Sequence, residues 1–435
     1  MTKSENKTAG RRQKLWNFYF KYHKVLSIAA IFKSSLNSYP ENVVKSRNRR
    51  RCVAISLSDF AWQPLRLKNK TDDRRLLERI CDAYILSKKD QPKSGPYAVS
   101  GMWEGILGGY YSTMISAALS RDTVKLGRTL ENIFRKNSLG LSMSGDMPSR
   151  RNPMSSKEYL NNYADTLLRL ATFANIADVA KDMDNDLYIC EKKIPAGNLW
   201  KKICAKLNID PCYPVVGNTF GLLYPSSTKS CCTIPRAAFR HLHTAIETLR
   251  LVENKRGASI LEIGGGFGGV LYYISQLLGK NAGFNLTSID VPEINIISSY
   301  FLSKSLPGLK VYFYGENPHQ TSKGKRSCVN VLPNCSIKDI APNSISAVVN
   351  EDSFPEMPSV AVREYLKRIG EISEYFYSVN QDCGRAGQNR LSQIDEEKFG
   401  LECISFTPSW MRHGYFERVY RSIKNAPIQV SRYQK

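Results

Sequence analysis

Five glycines within six residues follow a short apolar run in Ile260-Leu261-Glu262-Ile263-Gly264-Gly265-Gly266-Phe267-Gly268-Gly269-Val270. The spacing predicts a strand that ends in bare main chain and then starts a helix. Missing side chains let a ligand lie against the backbone, and the unpaired N–H groups of the next helix face it. About one strand further on stands Asp290, closing the apolar run Phe284 to Ile289. A carboxylate there can accept from two adjacent hydroxyls at once, the pattern of a ribose. Read as Gly-x-Gly-x-x-Gly (Gly264, Gly266, Gly269), the turn is a weak dinucleotide signal.

Read as Glu-x-Gly-x-Gly-x-Gly (Glu262, Gly264, Gly266, Gly268), the same turn matches the S-adenosylmethionine (SAM) pattern of class I methyltransferases. Three features favour SAM. Glu262 lies inside the strand, two residues before the first glycine. The unit sits deep in the chain behind a helical region. The C-terminus also offers a hairpin pattern, Ile404 to Phe406 and Tyr415 to Tyr420. Glu262, Gly264, Gly265, Gly266, Gly268, Asp290 and Asn350 are therefore the expected cofactor residues, with the amide of Asn350 on the methionine part.

Elements able to position these residues are legible around them. Helical spacing runs over Met102 to Arg135, Tyr159 to Val179 and Ala237 to Leu251. Beyond residue 236 strands and helices alternate: strand 259–263, helix 270–278, strand 284–289, helix 294–306, strand 310–314, strand 345–349, helix 360–369 and strand 375–379. That alternation predicts a mainly parallel sheet covered on both faces. The fold class is α/β, a Rossmann-like class I methyltransferase sheet with an N-terminal mainly helical region. The expected organisation is a basic extension over 1–95, a mainly helical cap and substrate region over 96–235, the SAM-binding domain over 236–425 and a tail over 426–435. Gln91 to Pro96 reads as a linker.

Glu262 to Val270, Asp290-Val291-Pro292-Glu293, Tyr300 to Lys304, Val311 to Glu316, Asn350 to Met357 and Tyr375 to Asp382 together resemble the sugar O-methyltransferase family. Ser100 to Trp103 and Val216 to Asn218 extend the resemblance to roughly residues 100–420. Phe267 stands where that family's pattern has Tyr. The resemblance implies SAM as cofactor and a sugar hydroxyl of a glycan or glycan precursor as methyl acceptor. Such transfer needs in-line alignment and a base for the hydroxyl proton. Ligands of this fold lie outside the carboxyl ends of the strands, which selects Asp352 and Glu356 as acidic candidates, Glu356 being carried by the family-like motif. Glu356 reads equally well as a helix N-terminal carboxylate.

His413 is a second base candidate near the hairpin. His241 and His243 face either the site or the helical region. Trp103 and Tyr213 stack on a sugar face or belong to the core. No spacing compels a metal site, although Glu351 beside Asp352 leaves Mg²⁺ open.

Composition bounds the rest. The 435 residues are 42% hydrophobic, enough for two or three domains with a sizeable core. Eleven scattered cysteines without a CxxC pair suit reduced thiols. Net charge is +23, and residues 1–75 hold eighteen Lys or Arg against five Asp or Glu. This basic arm suits a polyanion or an anionic membrane surface. With no apolar leader near Met1, the expected location is cytoplasmic, or peripheral at a membrane. The arm also supports a rival class, a nucleic-acid or anionic-surface binding protein with a vestigial methyltransferase fold. An RNA or protein methyltransferase is a third.

Overall fold

The strand Ser259–Ile263, whose four residues from Ile260 onward are buried without alternation, suits the centre of a sheet covered on both faces. The computed structural model places it there. It describes residues 53–62, 70–99, 101–136, 141, 156–177, 180–182, 187–189, 194–225, 231–252, 257–279, 281–316, 327–382, 394, 396–412 and 414–423.

In chain order the elements begin with β1 (Val53–Ala54), β2 (Phe60–Trp62) and α1 (Lys70–Asp90). Four helices follow: α2 (Gly101–Tyr110), α3 (Ser112–Leu119), α4 (Thr123–Leu130) and α5 (Ile133–Lys136). Then come α6 (Ser156–Phe173), β3 (Ala180–Asp182), β4 (Leu187–Ile189), β5 (Ile194–Pro195), α7 (Ala196–Leu207), β6 (Phe220–Pro225) and β7 (Cys231–Ile234). The chain continues through α8 (Arg236–Leu251), β8 (Ser259–Ile263), α9 (Gly269–Leu278), β9 (Asn285–Asp290), α10 (Pro292–Ser305), β10 (Lys310–Phe313) and β11 (Cys328–Pro333). It closes with β12 (Ile345–Glu351), α11 (Ser359–Ile372), β13 (Ser373–Gln381), β14 (Leu401–Pro408) and β15 (Tyr415–Ser422).

The main sheet has eight strands in the order β10-β11-β9-β8-β12-β13-β15-β14. The strands from β10 to β13 run parallel, and β15 inserts antiparallel between β13 and β14. After β8 the chain first builds outward through β9 and then returns to the other side through β12. The sheet therefore reverses direction beside the glycine turn, and a crevice opens where the carboxyl ends of β8 and β12 part. One face is sealed by α11, whose Tyr365, Leu366 and Ile369 pack with Phe354 and Phe376. On the other, Phe267, Phe301, Phe134 and Tyr272 meet edge to face.

Two regions differ from the sequence expectation. The last third of the supposed extension is α1, docked on α10 and held by Lys88–Glu293 at 2.6 Å and Lys304–Asp73 at 2.5 Å. Its apolar positions Leu77, Ile80, Cys81 and Tyr84 are buried, so the basic composition conceals an amphipathic helix. The expected linker Gln91 to Pro96 is anchored too: the Gln91 amide donates to the Tyr97 carbonyl, and Tyr97 sits in the core against Tyr365. Region 96–235 is not only helical, since β2, β6 and β7 form a three-stranded antiparallel sheet. The described residues within 53–178 and 194–435 form one compact unit. The hairpin β3–β4 belongs to a second unit and is antiparallel, with Lys181 opposite Tyr188.

The basic run Lys45 to Arg51 and the tail 426–435 lie outside the described residues. Among the described residues, no helix is long and apolar enough to cross a membrane.

Candidate active site

Four glycines of the turn adopt or require backbone that other residues resist. Gly264 has φ +68°, and a Cβ there would run into Ser353; at Gly265 it would strike Ser288 and the carboxyl of Glu262. Gly268 caps α9 at φ +92° beneath Leu302, and a Cβ on Gly269 would meet the His241 ring. Bare main chain is thus forced by the packing behind the turn as well as by its conformation. The turn is pinned from both sides. Gly264 N–H donates to the Ile289 carbonyl at 2.8 Å, and Gly266 N–H donates to Asp290 Oδ2 at 2.9 Å. The other Asp290 oxygen accepts from Val291 N–H at 2.7 Å.

In front of the turn lies a cavity of about 450 Å³. Glu262, Gly264, Gly265, Gly266 and Asp290 line it, as do Asp352 and Glu356, so residues from three strand ends share one space. Gly268 lies one turn below, supporting α9. Asn350 is not in the wall. Its amide is fully buried, donating to the Ile263 carbonyl at 2.8 Å and accepting from Asn380 at 2.7 Å. It ties β12 to the glycine turn.

Burial governs the electrostatics. Asp290 is raised from 3.8 to about 7, chiefly by desolvation, against the two N–H donors that lower it; Glu293 adds to the rise. Desolvation also holds Glu262 well above the usual carboxylate range, reinforced by Glu351 and Asp290. Its Oε2 is buried with no hydrogen-bond partner, while the Leu271 N–H serves the carboxyl. Glu356 rises to about 8 through burial and the charges of Asp352 and Asp290, opposed by a hydrogen bond from Trp103 and by Arg412.

Asp352 sits at φ +67°, its N–H bonded to the Val379 carbonyl at 2.9 Å. Arg412 grips its Oδ2, and Tyr415 donates to Oδ1 at 2.5 Å. Both oxygens are engaged, whereas Glu356, which borders the same cavity, is held by Trp103 rather than by an ion pair.

The two histidines divide. His241 joins the cavity wall and meets Phe267 edge to face. His243 is buried against Phe173, and desolvation lowers it to about 4, with Arg250 adding to and Glu351 opposing the shift. Trp103 lines the cavity, whereas Tyr213 packs among Tyr272, Tyr273 and Phe301. His413 falls outside the described residues.

Sequence reading missed Arg236, Arg240 and Arg412, all of which line the cavity. The first two are four residues apart on α8 and so share a face. That spacing was visible, but nothing in it showed which way the face pointed. Glu351, Met102 and Ile106 also belong to the wall.

The strand order, six parallel strands beside an antiparallel β15, defines the fold as a Rossmann-like class I methyltransferase fold with flanking helical regions. No family model matches the chain, and no curated protein matches it. Solved structures resemble it at low identity. A SAM-dependent methyltransferase from Aquifex aeolicus is 17% identical, covering 41% of this chain and 89% of its own, with a TM-score of 0.28. Magnesium protoporphyrin IX methyltransferase from Synechocystis PCC 6803, solved with bound SAM, is 12% identical over 42% of this chain and 79% of its own, with a TM-score of 0.30.

Proposed function

We propose that the chain is a SAM-dependent O-methyltransferase whose acceptor is a sugar hydroxyl of a glycan or glycan precursor. The observation that supports it is a shared cavity: the glycine turn with Asp290 forms one wall, and the Glu356 carboxyl borders the same space. The turn suits the cofactor because Gly264, Gly265 and Gly266 line the cavity with bare main chain, and the Asp290 carboxyl in the same wall is the group to receive a ribose diol. SAM supplies an electrophilic methyl group on a sulfonium that leaves neutral.

What the protein must add is orientation and a proton acceptor. Glu356, ionising at about 8, is a stronger base than an ordinary carboxylate and can take the hydroxyl proton as the bond to carbon forms. Trp103 orients it through the indole hydrogen bond. Asp352, clamped by Arg412 and Tyr415, fixes the loop that carries Glu356. Met102, Trp103 and Ile106, on one side of α2, close the cavity over this carboxyl and keep bulk water from competing as acceptor. The sugar rests on the resemblance across residues 100–420. We assign the basic arm a supporting role, holding the enzyme near a polyanionic or membrane-bound acceptor.

Isothermal titration with S-adenosylhomocysteine tests the cofactor half: wild type binds, and Asp290→Ala loses at least tenfold. Absence of binding by the wild type would remove the enzyme reading altogether. Labelled SAM with a panel of methyl glycosides tests the acceptor half.

A further inference from the structure

Glu351 ends β12 one residue before the clamped Asp352 and lines the cavity, yet neither the cofactor cradle nor the proton transfer above uses it. The charges of Arg240 and Arg412 act on its carboxyl, and a hydrogen bond with Thr244 favours its ionised form. The three come from α8 and from the loop between β14 and β15, which meet only through the fold. Two guanidiniums and a hydroxyl thus favour the charged form of a group that desolvation opposes. Despite that support, Glu351 Oε2 is buried with no hydrogen-bond partner.

A buried carboxylate oxygen left without a donor is costly, and native proteins rarely carry one without a use for it. Oε2 is an acceptor only, so the matching group is a hydrogen-bond donor entering the cavity. The other such atom there, Glu262 Oε2, lies against the glycine turn, within 3.1 Å of where a Gly265 Cβ would stand. That places Glu262 on the cofactor side. Glu351 is instead framed by residues outside the turn, beside the loop that carries Asp352 and Glu356.

We propose that Glu351 Oε2 accepts a hydrogen bond from an acceptor hydroxyl other than the one methylated, so that the site selects polyhydroxylated acceptors. The assignment rests on the methyltransferase reading and sharpens it. Glu356 handles the reacting hydroxyl, and Glu351 fixes the ring by a second one. A site built around a buried acceptor also discriminates strongly against a ligand lacking the matching hydroxyl, because the oxygen is then sealed in unpaired.

The test compares wild type with Glu351→Gln. S-adenosylhomocysteine titration comes first: its affinity is expected to stay within about twofold, which also shows that the variant folds with an intact cradle. A tenfold loss would move Glu351 to the cofactor and overturn the assignment. Labelled SAM is then offered with methyl glycosides of glucose, galactose, mannose and rhamnose, and with monodeoxy forms of whichever is methylated. For that glycoside, Glu351→Gln is expected to lower kcat/KM about 10- to 100-fold, mostly through KM. One monodeoxy form should lose a similar factor with wild type and little more with the variant. Independent, multiplying losses would overturn the assignment while leaving the methyltransferase reading intact. Transfer to none of the glycosides would overturn the sugar reading and this assignment with it, whereas failure of wild type to bind S-adenosylhomocysteine would show that the cofactor reading itself had failed.

Discussion

If Asp290 receives the cofactor as proposed, SAM binding carries a built-in pH dependence. In the free protein its carboxyl is raised from 3.8 to about 7, mainly by desolvation. Ribose hydroxyls are donors and pair best with the ionised form, so binding must displace any proton held there. The ionised fraction is about one-half at pH 7 and about one-hundredth at pH 5. Affinity for S-adenosylhomocysteine is therefore expected to rise about tenfold per pH unit up to about 7 and to level off above it. Below that point about one proton should be released per ligand bound, measurable as a difference in heat between buffers of unlike ionisation enthalpy.

Stability moves in the opposite sense. The folded carboxyl ionises at higher pH than the unfolded one, so the unfolded state sheds its proton first. The free protein accordingly loses stability as pH climbs from about 4 to about 7. The loss is at most about 4 kcal/mol, and less in practice because the carboxyl borders the open cavity. Asp290→Asn should bind weakly with a flat profile and lack this component of the pH–stability curve. An affinity for wild type that is constant from pH 5 to 8, or a variant with the same slope, would refute the reasoning.

Two further outcomes follow from the same geometry. Glu356→Gln should leave S-adenosylhomocysteine affinity unchanged and lower kcat by about 10²- to 10⁴-fold, while the wild-type rate should climb with pH through about 8 as Glu356 loses its proton; single-turnover methyl transfer across pH 6 to 9 checks both. Gly265→Ala forces a methyl group into Ser288 and Glu262, and its titration with S-adenosylhomocysteine should show a loss of at least tenfold with a lowered Tm.

The glycine turn and Asp290, proposed above as the cofactor cradle, were legible because they are local. Glu262, the glycines and Asp290 lie within thirty residues, and their types follow from backbone needs that sequence displays directly. The strand Ser259–Ile263 was placed to the residue, and α8, α9 and α10 to within two or three. The strand β11, between β9 and β10 in the sheet, escaped notice. Its Cys-Val-Asn-Val-Leu-Pro has a buried Asn330, which breaks the apolar run yet is satisfied by the Asn285 side chain at 2.7 Å.

The far wall of the cavity was less legible for the same physical reason. Arg412 reaches Asp352 across sixty residues of chain, and Trp103 meets Glu356 across some two hundred and fifty. Asn350 shows the converse error. Its place at a strand end suggested a ligand contact, but both ends of its amide are used to brace neighbouring strands.

The docking of α1 on α10 bears on where the compact body begins. That body recruits β1 to pair with β5, β2 to pair with β6, and α1 to cover the outer flank of the cofactor half. Trimming at residue 95, where the composition changes, would strip a strand from each of two small sheets and remove buried Leu77, Ile80 and Tyr84 from the flank of α10. A shortened chain that keeps this packing has to begin at or before Val53, and the basic segment can be removed without loss of it only upstream of that point.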